Sequence, residues 1–228
     1  VALTMPRPAE RNVLESEDKR LVDARWGTEM LLRENAREWV DLASDFARAP
    51  APSGQPRLKL DTVLDEASRA EKISDGSHAT ARETLQYILS QVTGAQKPEF
   101  VFAVDAWGRV VARVGPDDVT DKEWADVLSG YFLVRDTLRG YQRDDLWLIG
   151  DKLYRVAAAP VIERSRDAYA GAIILGDVVD LPLATELKKR VGPDVAFFVR
   201  GEPVAVSSPS PITKDITAQL EARKGELD

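Results

Sequence analysis

The side chains of this sequence best suited to bind a small molecule are Tyr131 and Arg135, which stand four positions apart in a stretch predicted to be helical. That spacing predicts a shared helix face. An Arg guanidinium presents paired donors to a carboxylate, and a Tyr hydroxyl can orient the same group. An exposed Arg beside a half-buried Tyr would give the same spacing without a ligand, and such structural pairs are the commoner case.

A second set of candidates lies on two predicted neighbouring strands. Because side chains alternate between the faces of a strand, Arg155 shares a face with Ala157 and Ala159, whereas Tyr154 points the other way. Only one of the two can therefore point into a given pocket. The small Ala side chains leave room for a ligand beside Arg155, or they allow a helix to pack closely. Trp147, on the adjacent strand, is predicted either to wall a pocket or to fill the core.

Two more polar residues are candidate ligand or metal contacts. Asp177 ends the last predicted strand of the sheet, where its carboxylate could meet an ammonium group or could belong to a turn. His78 is the single His, so as a metal or haem ligand it would lack partners of its own type. We expect His78 to face solvent in a loop, and we expect no metal or cofactor.

Sequence signatures of enzymes are absent from the chain. With no Cys and one His, a nucleophilic triad would need His78, and no G-x-S-x-G nucleophile elbow occurs. The phosphate-binding G-x-x-x-x-G-K-S/T loop and the zinc-binding H-E-x-x-H pattern are missing as well. We therefore expect a binding module and not an enzyme.

Composition and charge narrow the class of protein. The 228 residues carry a net charge of -7 that is spread along the chain, so no basic stripe is available for nucleic acid, and nucleic-acid binding is not expected. Apolar residues make up 44%, which is typical of a folded globular protein. No apolar run approaches the 18 residues of a membrane span, and the chain begins at Val1. These features lead us to expect a soluble piece of a membrane-anchored protein.

The first 95 or so residues are predicted to be helical. One long helix from about Val13 to Arg48 is followed by the helix-breaking segment APAPSGQP and by helices over 58–73 and 80–92. Apolar residues in the long helix recur at steps of four and three. This stripe would pack either on the domain's own sheet or on a second copy of the chain; its members are Leu32, Ala36, Trp39, Ala43 and Phe46.

From Pro98 onward the pattern is typical of strands. Residues 99–115 predict a hairpin, and residues 120–140 predict a helix that starts with a capping box and is either continuous or broken at Gly130. Residues 145–149, 152–161 and 169–175 predict three more strands. The prediction is an α+β domain: an antiparallel five-stranded sheet with a long N-terminal helix and flanking helices.

A short helix over 180–190 and a hairpin over 195–207 add a C-terminal β-hairpin extension, which either completes the domain or begins a second, related module. The predicted division is 1–56 for the long helix and linker, 57–180 for the sheet domain, and 181–228 for the extension.

Two stretches resemble a known family. The hairpin FVFAVDAWGRVVARVG and the closing strands LYRVAAAPVIERSRDAYAGAIILGDVVD are similar to the corresponding parts of the Cache superfamily of extracellular PAS-like sensor domains. The resemblance covers roughly residues 13–180. It implies a periplasmic or otherwise extracytoplasmic domain of an inner-membrane protein, placed between two transmembrane helices. The expected output is that of a histidine kinase, chemoreceptor or cyclase.

The family resemblance also bears on the ligand. The sequence lacks the Arg followed closely by a Trp-Tyr pair that marks amino-acid-binding members, so a small carboxylate is at least as well supported as an amino acid. We expect ligand binding to shift the long helix relative to the sheet, within a homodimer paired through that helix. The alternatives are a ligandless structural or protein-interaction domain and a cytoplasmic PAS-type module. The long leading helix and the missing start Met favour the extracytoplasmic domain over the cytoplasmic module.

Overall fold

The computed structural model describes residues 8–51, 54–55, 58–92, 97–116, 127–163 and 168–208. These residues form two compact units, one within residues 36–178 and one that combines residues 8–35 with 179–208. The helices are α1 (Pro8–Arg48), α2 (Leu60–Arg69), α3 (Asp75–Gln91), α4 (Phe132–Thr137) and α5 (Leu181–Val191). The strands are β1 (Phe100–Asp105), β2 (Val110–Val114), β3 (Arg143–Ile149), β4 (Lys152–Glu163), β5 (Ala168–Val178), β6 (Ala196–Val199) and β7 (Glu202–Val206).

The unit of residues 36–178 is built on a five-stranded antiparallel sheet with the order β2-β1-β5-β4-β3. The predicted α+β class is confirmed, with its five-stranded sheet, long N-terminal helix and C-terminal strand pair. The predicted hairpin over 99–115 is confirmed as β1 and β2. The strands β3, β4 and β5 each extend by a few residues beyond their predicted bounds.

The sheet separates two apolar cores because its side chains alternate between faces. The face covered by α1, α2 and α3 is called the helical face here, and the opposite face, covered by α4, is called the α4 face. Trp39, Ala43 and Phe46 of α1 are buried in the core of the helical face, so packing within the domain accounts for these three stripe positions. The α4 face buries Phe100, Phe102, Val104, Trp147, Tyr154, Val156, Leu133 and Val134.

The β1–β2 turn is organised by the fully buried carboxylate of Asp105. Its Oδ1 accepts hydrogen bonds from the backbone amides of Trp107 (2.9 Å) and Arg109 (2.8 Å), and its Oδ2 accepts from Arg109 Nε (2.6 Å). Gly108 completes the turn at φ 78°, a left-handed conformation that favours glycine.

The side chain of Arg109 also joins this turn to the end of α2. Its Nη1 donates to the Glu71 carbonyl (3.0 Å), and its Nη2 donates to the carbonyls of Ala67 (2.7 Å) and Ala70 (3.1 Å). The last carbonyls of a helix have no intrahelical partner and carry partial negative charge, so a guanidinium stabilises them well. Arg109 therefore links the hairpin, the buried carboxylate of Asp105 and the helix end.

The predicted helix over 120–140 is wrong over residues 127–131, whereas α4 confirms helix over 132–137. Val127 instead forms a β-bridge with Arg109, the amide of Leu128 donates to the Gly108 carbonyl (2.8 Å), and only α4 is helical. The backbone of this segment thus pairs with the β1–β2 turn in place of an intrahelical ladder. The capping box at 120–123 lies outside the described residues.

The break between α2 and α3 lies earlier than predicted, and this changes the position of His78. Ser74 caps α3 by accepting from the Ser77 amide at 3.1 Å, so His78 falls in the first turn of α3. His78 Nδ1 lies 2.7 Å from the Val111 carbonyl oxygen and must carry the proton, since a carbonyl only accepts. The prediction of a solvent-facing loop His is wrong, because this half-buried ring links α3 to β2.

The second unit contains the first part of α1, α5 and the β6–β7 hairpin. The Asp180 side chain caps α5 by accepting from the Leu183 amide at 3.0 Å, and Leu183, Ala184 and Leu187 are buried. The predicted short helix and hairpin are therefore present. The described helices include none that is both long enough and apolar enough to cross a bilayer.

Candidate functional site

The structure brings three of the predicted binding residues together on the α4 face. Trp147 and Tyr154 are directly opposite each other in the β3–β4 pair, and the rings of Tyr131 and Trp147 lie 4.8 Å apart. Trp147 is 4% exposed and Tyr154 is fully buried, so both belong to the core of this face. For Trp147, the core alternative is the one that its burial favours.

Tyr131 and Arg135 do not share a helix face as predicted. Tyr131 has extended backbone and occupies the N-cap position of α4, outside the helix. Its ring packs on Trp147, whereas the Arg135 guanidinium lies over the exposed ring of Phe132, 4.6 Å from its centre. The prediction failed because Val127 and Leu128 pair with the β1–β2 turn and the Tyr131 amide donates to the Leu128 carbonyl, so helical spacing does not apply there. Arg135 is an exposed side chain on the surface of α4.

Arg155 and Asp177 lie on the helical face, opposite each other in the β4–β5 pair. Arg155 donates from Nε (3.1 Å) and Nη2 (2.5 Å) to one carboxylate oxygen of Asp177, and its guanidinium lies 5.0 Å from the centre of the Trp39 ring. Asp177 is inside a strand and not in a turn. The pair is about three-quarters buried.

The six predicted residues therefore do not form one site. Tyr131, Trp147 and Tyr154 lie on the α4 face, Arg155 and Asp177 lie on the helical face, and Arg135 lies on the surface. The predicted alternation along β4 is confirmed, because Tyr154 and Arg155 point to opposite faces. Their roles in ligand binding remain predictions.

A pocket that was not predicted from the sequence lies on the helical face, where α1 ends and α2 begins. Its volume is about 450 Å³, within the range of small-molecule sites. The last turn of α1 and residues 49–50 form one wall, residues 59–61 another, and Gln142 with part of β4 the third. The apolar lining consists of Ala47, Ala49, Pro50, Leu60, Ala159, Pro160 and Ile162.

The charges in this pocket come from Arg48, Lys59 and Asp61. The Asp61 side chain is only 7% exposed; its Oδ2 accepts from Lys59 Nζ at 2.5 Å, and its Oδ1 accepts from the amide (2.6 Å) and the hydroxyl (3.2 Å) of Thr62. Arg48 Nε donates to the Ser44 carbonyl at 3.0 Å. Two cations and one carboxylate leave the pocket with one excess positive charge.

Comparison with known proteins was made by sequence and by structure. No family model and no curated protein matches the sequence. A similar solved structure is the sensor domain of the Vibrio cholerae histidine kinase DctB, with 11% identity, 92% of this chain and 77% of that chain covered, and a TM-score of 0.49.

Two further solved structures are similar. The periplasmic domain of Vibrio cholerae LuxQ has 11% identity, covers 79% of this chain and 84% of that one, and gives a TM-score of 0.41. The ligand-binding domain of a Campylobacter jejuni chemoreceptor, in complex with 4-methylisoleucine, has 10% identity, covers 91% and 75%, and gives a TM-score of 0.49. At such identities the likeness is one of fold and assigns no ligand to this chain.

The signal for the new pocket was weak in the sequence. Lys59 and Asp61 flank Leu60 directly after a Pro-rich linker, and Arg48 ends the long helix before it. Helical and strand periodicity relate residues within one secondary-structure element. This pocket, in contrast, is lined by residues of α1, α2 and β4 and of the segments next to them. Only the packing of α1, α2 and β4 brings the charged groups together.

Proposed function

We propose that this chain is the extracytoplasmic ligand-sensing domain of a membrane-anchored signal-transduction protein, of the histidine kinase, chemoreceptor or cyclase type, and that it is not an enzyme. The observation that carries the proposal is the 450 Å³ pocket, because the last turn of α1 forms one of its walls. A ligand held there would contact the C-terminal end of α1, a helix of 41 residues that begins at Pro8. The two sequence stretches that resemble Cache domains, the β1–β2 hairpin and the closing strands, support the same function.

The proposed signal is a change in the packing of α1 on the helical face. Trp39, Ala43 and Phe46 hold this helix against the sheet, and Ser44 and Arg48 reach the pocket from the same helix. A ligand that binds one arrangement of α1 better than another shifts the population toward that arrangement. The shift is limited by the difference between the two affinities.

We expect a cognate ligand to raise the melting temperature of the purified 228-residue chain. At a free concentration of 100 times Kd, a ligand that binds only the folded state adds about 2.7 kcal/mol, which is roughly 5–10 °C for a chain of this size. The measurement is a thermal-shift screen against carboxylates, amino acids, amines and nucleobases, repeated on Tyr131→Ala and on Arg48→Ala, which alters the pocket lining, to identify the face that binds. A flat screen at millimolar concentrations would instead favour a ligandless interaction domain.

We further propose that two copies of the chain pair through the first part of α1. Val22, Trp26 and Met30 recur every four residues and are 65%, 67% and 47% exposed, which forms an apolar stripe on one helix face. Burying each side chain against a second copy would contribute about 1.5–3 kcal/mol. Exposed apolar stripes of this kind are typical of helix pairing.

Trp26→Glu is expected to weaken self-association at least about tenfold, measured as the dimer dissociation constant by sedimentation equilibrium. The matched control is Phe132→Glu, which places the same charge at an aromatic residue that is 70% exposed on α4. A wild-type chain that stays monomeric at 100 µM, or equal effects of the two substitutions, would contradict pairing through this stripe.

A further inference from the structure

The pocket at the end of α1 also indicates the chemical class of its ligand. We propose that it binds a small aliphatic monocarboxylate, with the carboxylate held by Arg48 and Lys59 and the hydrocarbon part held against the apolar wall. This inference rests on the proposed function, since it names the ligand of the proposed sensor. The inference specifies where that ligand binds, that it carries one negative charge, and that the rest of it is apolar.

The charge of the pocket favours an anion. Arg48 and Lys59 contribute two cations, and Asp61 is the single carboxylate among the described lining residues. Asp61 is already engaged by Lys59 and by two donors from Thr62. A ligand ammonium group would therefore have to compete with Lys59 for Asp61, whereas a ligand carboxylate would add an anion to a site with excess positive charge.

The geometry of Arg48 leaves donors for such an anion. Its bond to the Ser44 carbonyl uses Nε, and among the residues that the structure describes Nη1 and Nη2 have no further bond. Lys59 Nζ likewise bonds only Asp61 in this part of the chain, so its other protons can be shared. A guanidinium and an ammonium that line the same pocket suit the two oxygens of a single carboxylate.

The remaining lining favours a short hydrocarbon and disfavours a second charged group. Seven of the twelve lining residues are Ala, Pro, Leu or Ile. Gln142 is the one neutral polar side chain there besides Ser44, whose hydroxyl already donates to the Val40 carbonyl at 2.9 Å. A dicarboxylate would bring two negative charges to a site with one excess positive charge, and the ammonium group of a zwitterion would have to compete with Lys59 for Asp61.

Three probes that share one hydrocarbon skeleton test this inference. They are 4-methylpentanoate, leucine and 3-methylbutylamine, which carry a carboxylate, both charges and an ammonium respectively. Calorimetric titration of the full chain is expected to rank their affinities in that order, with at least about a tenfold preference for the carboxylate over the amine. Equal affinities, or tighter binding of the amine, would overturn the assignment.

Substitution of Arg48 locates the site. Arg48→Ala is expected to weaken binding of 4-methylpentanoate at least about tenfold through loss of a charged hydrogen bond. The matched control is Arg69→Ala, which removes the last Arg of the neighbouring helix, at a residue outside the pocket lining. Ala49→Leu, which fills the pocket without changing charge, is expected to weaken binding as well. Unchanged affinity in both Arg48→Ala and Ala49→Leu would overturn the inference.

The outcomes also separate this inference from the proposed function. If another class of molecule binds and its thermal shift is lost in Tyr131→Ala, the chain is a sensor whose ligand lies on the α4 face, and the monocarboxylate assignment is wrong. If no molecule of the screen binds, the sensor function and the assignment both fail.

Discussion

Arg109→Ala is expected to lower the free energy of unfolding by about 3–5 kcal/mol, because it leaves a fully buried carboxylate without its counter-charge. Asp105 would keep only the two turn amides, and the carbonyls of Ala67, Ala70 and Glu71 would each lose a donor. Such a loss is a large part of the 5–15 kcal/mol that stabilises a typical domain. Chemical denaturation followed by circular dichroism measures it.

A matched control exists on the same helix end. Arg69 pairs with Asp65 four residues earlier at 2.7 Å, and its side chain is 62% exposed, so Arg69→Ala is expected to cost less than about 1 kcal/mol. The double variant Asp105→Ala/Arg109→Ala should lose less than the sum of the single variants, because neither charge is then left unpaired. Additive losses, or equal effects of Arg109→Ala and Arg69→Ala, would show that the buried pair is not coupled as described.

Gly171→Ala is expected to lower the free energy of unfolding by about 3 kcal/mol, near the upper end of the range for overpacked cores. Gly171 is paired with Asp105 between β5 and β1, and a Cβ there would overlap the carbonyl oxygen of Val104 and crowd the backbone of Asp105. A side chain can rotate away from such a contact, but these are backbone atoms of a central strand. The two strands would have to separate to make room.

Gly130→Ala provides the comparison for this substitution. A Cβ at Gly130 meets no atom within 4 Å, so this variant is expected to change stability by less than about 0.5 kcal/mol or to stabilise slightly. The midpoints of denaturation of the two variants can be compared directly with that of the parent chain. A Gly171→Ala protein as stable as Gly130→Ala would mean that β1 and β5 are less closely packed than the register indicates.

The sequence predicted those parts of the fold that depend on local periodicity. The alternation of Tyr154 and Arg155 along β4, the β1–β2 hairpin and the long helix all follow from patterns within one element. The helix predicted over 120–140 failed over residues 127–131, since a backbone pairing with Gly108 and Arg109, far away in sequence, replaces the helical ladder there. His78 was misplaced for a similar reason, because its partner is the carbonyl of Val111 on another element.

The candidate site was less predictable than the fold. The predicted candidates are polar or aromatic residues on predicted elements, and four of the six contact one another in pairs: Tyr131 with Trp147, and Arg155 with Asp177. The pocket at the end of α1 depends instead on Arg48, Lys59 and Asp61, which belong to two helices and the segment between them. No spacing rule links residues that only tertiary packing brings together.

The charges on β3 affect whether the edge of this sheet can pair with a strand of another chain. This strand lies at one end of the sheet order, and five of its seven residues are exposed, including Arg143, Asp144 and Asp145 in its first half. An edge strand offers backbone groups that could recruit a strand from another chain, and such recruitment begins many aggregates. Consecutive charged side chains oppose it, because an incoming strand would have to remove them from water. Polymerisation through this edge of the sheet is therefore disfavoured.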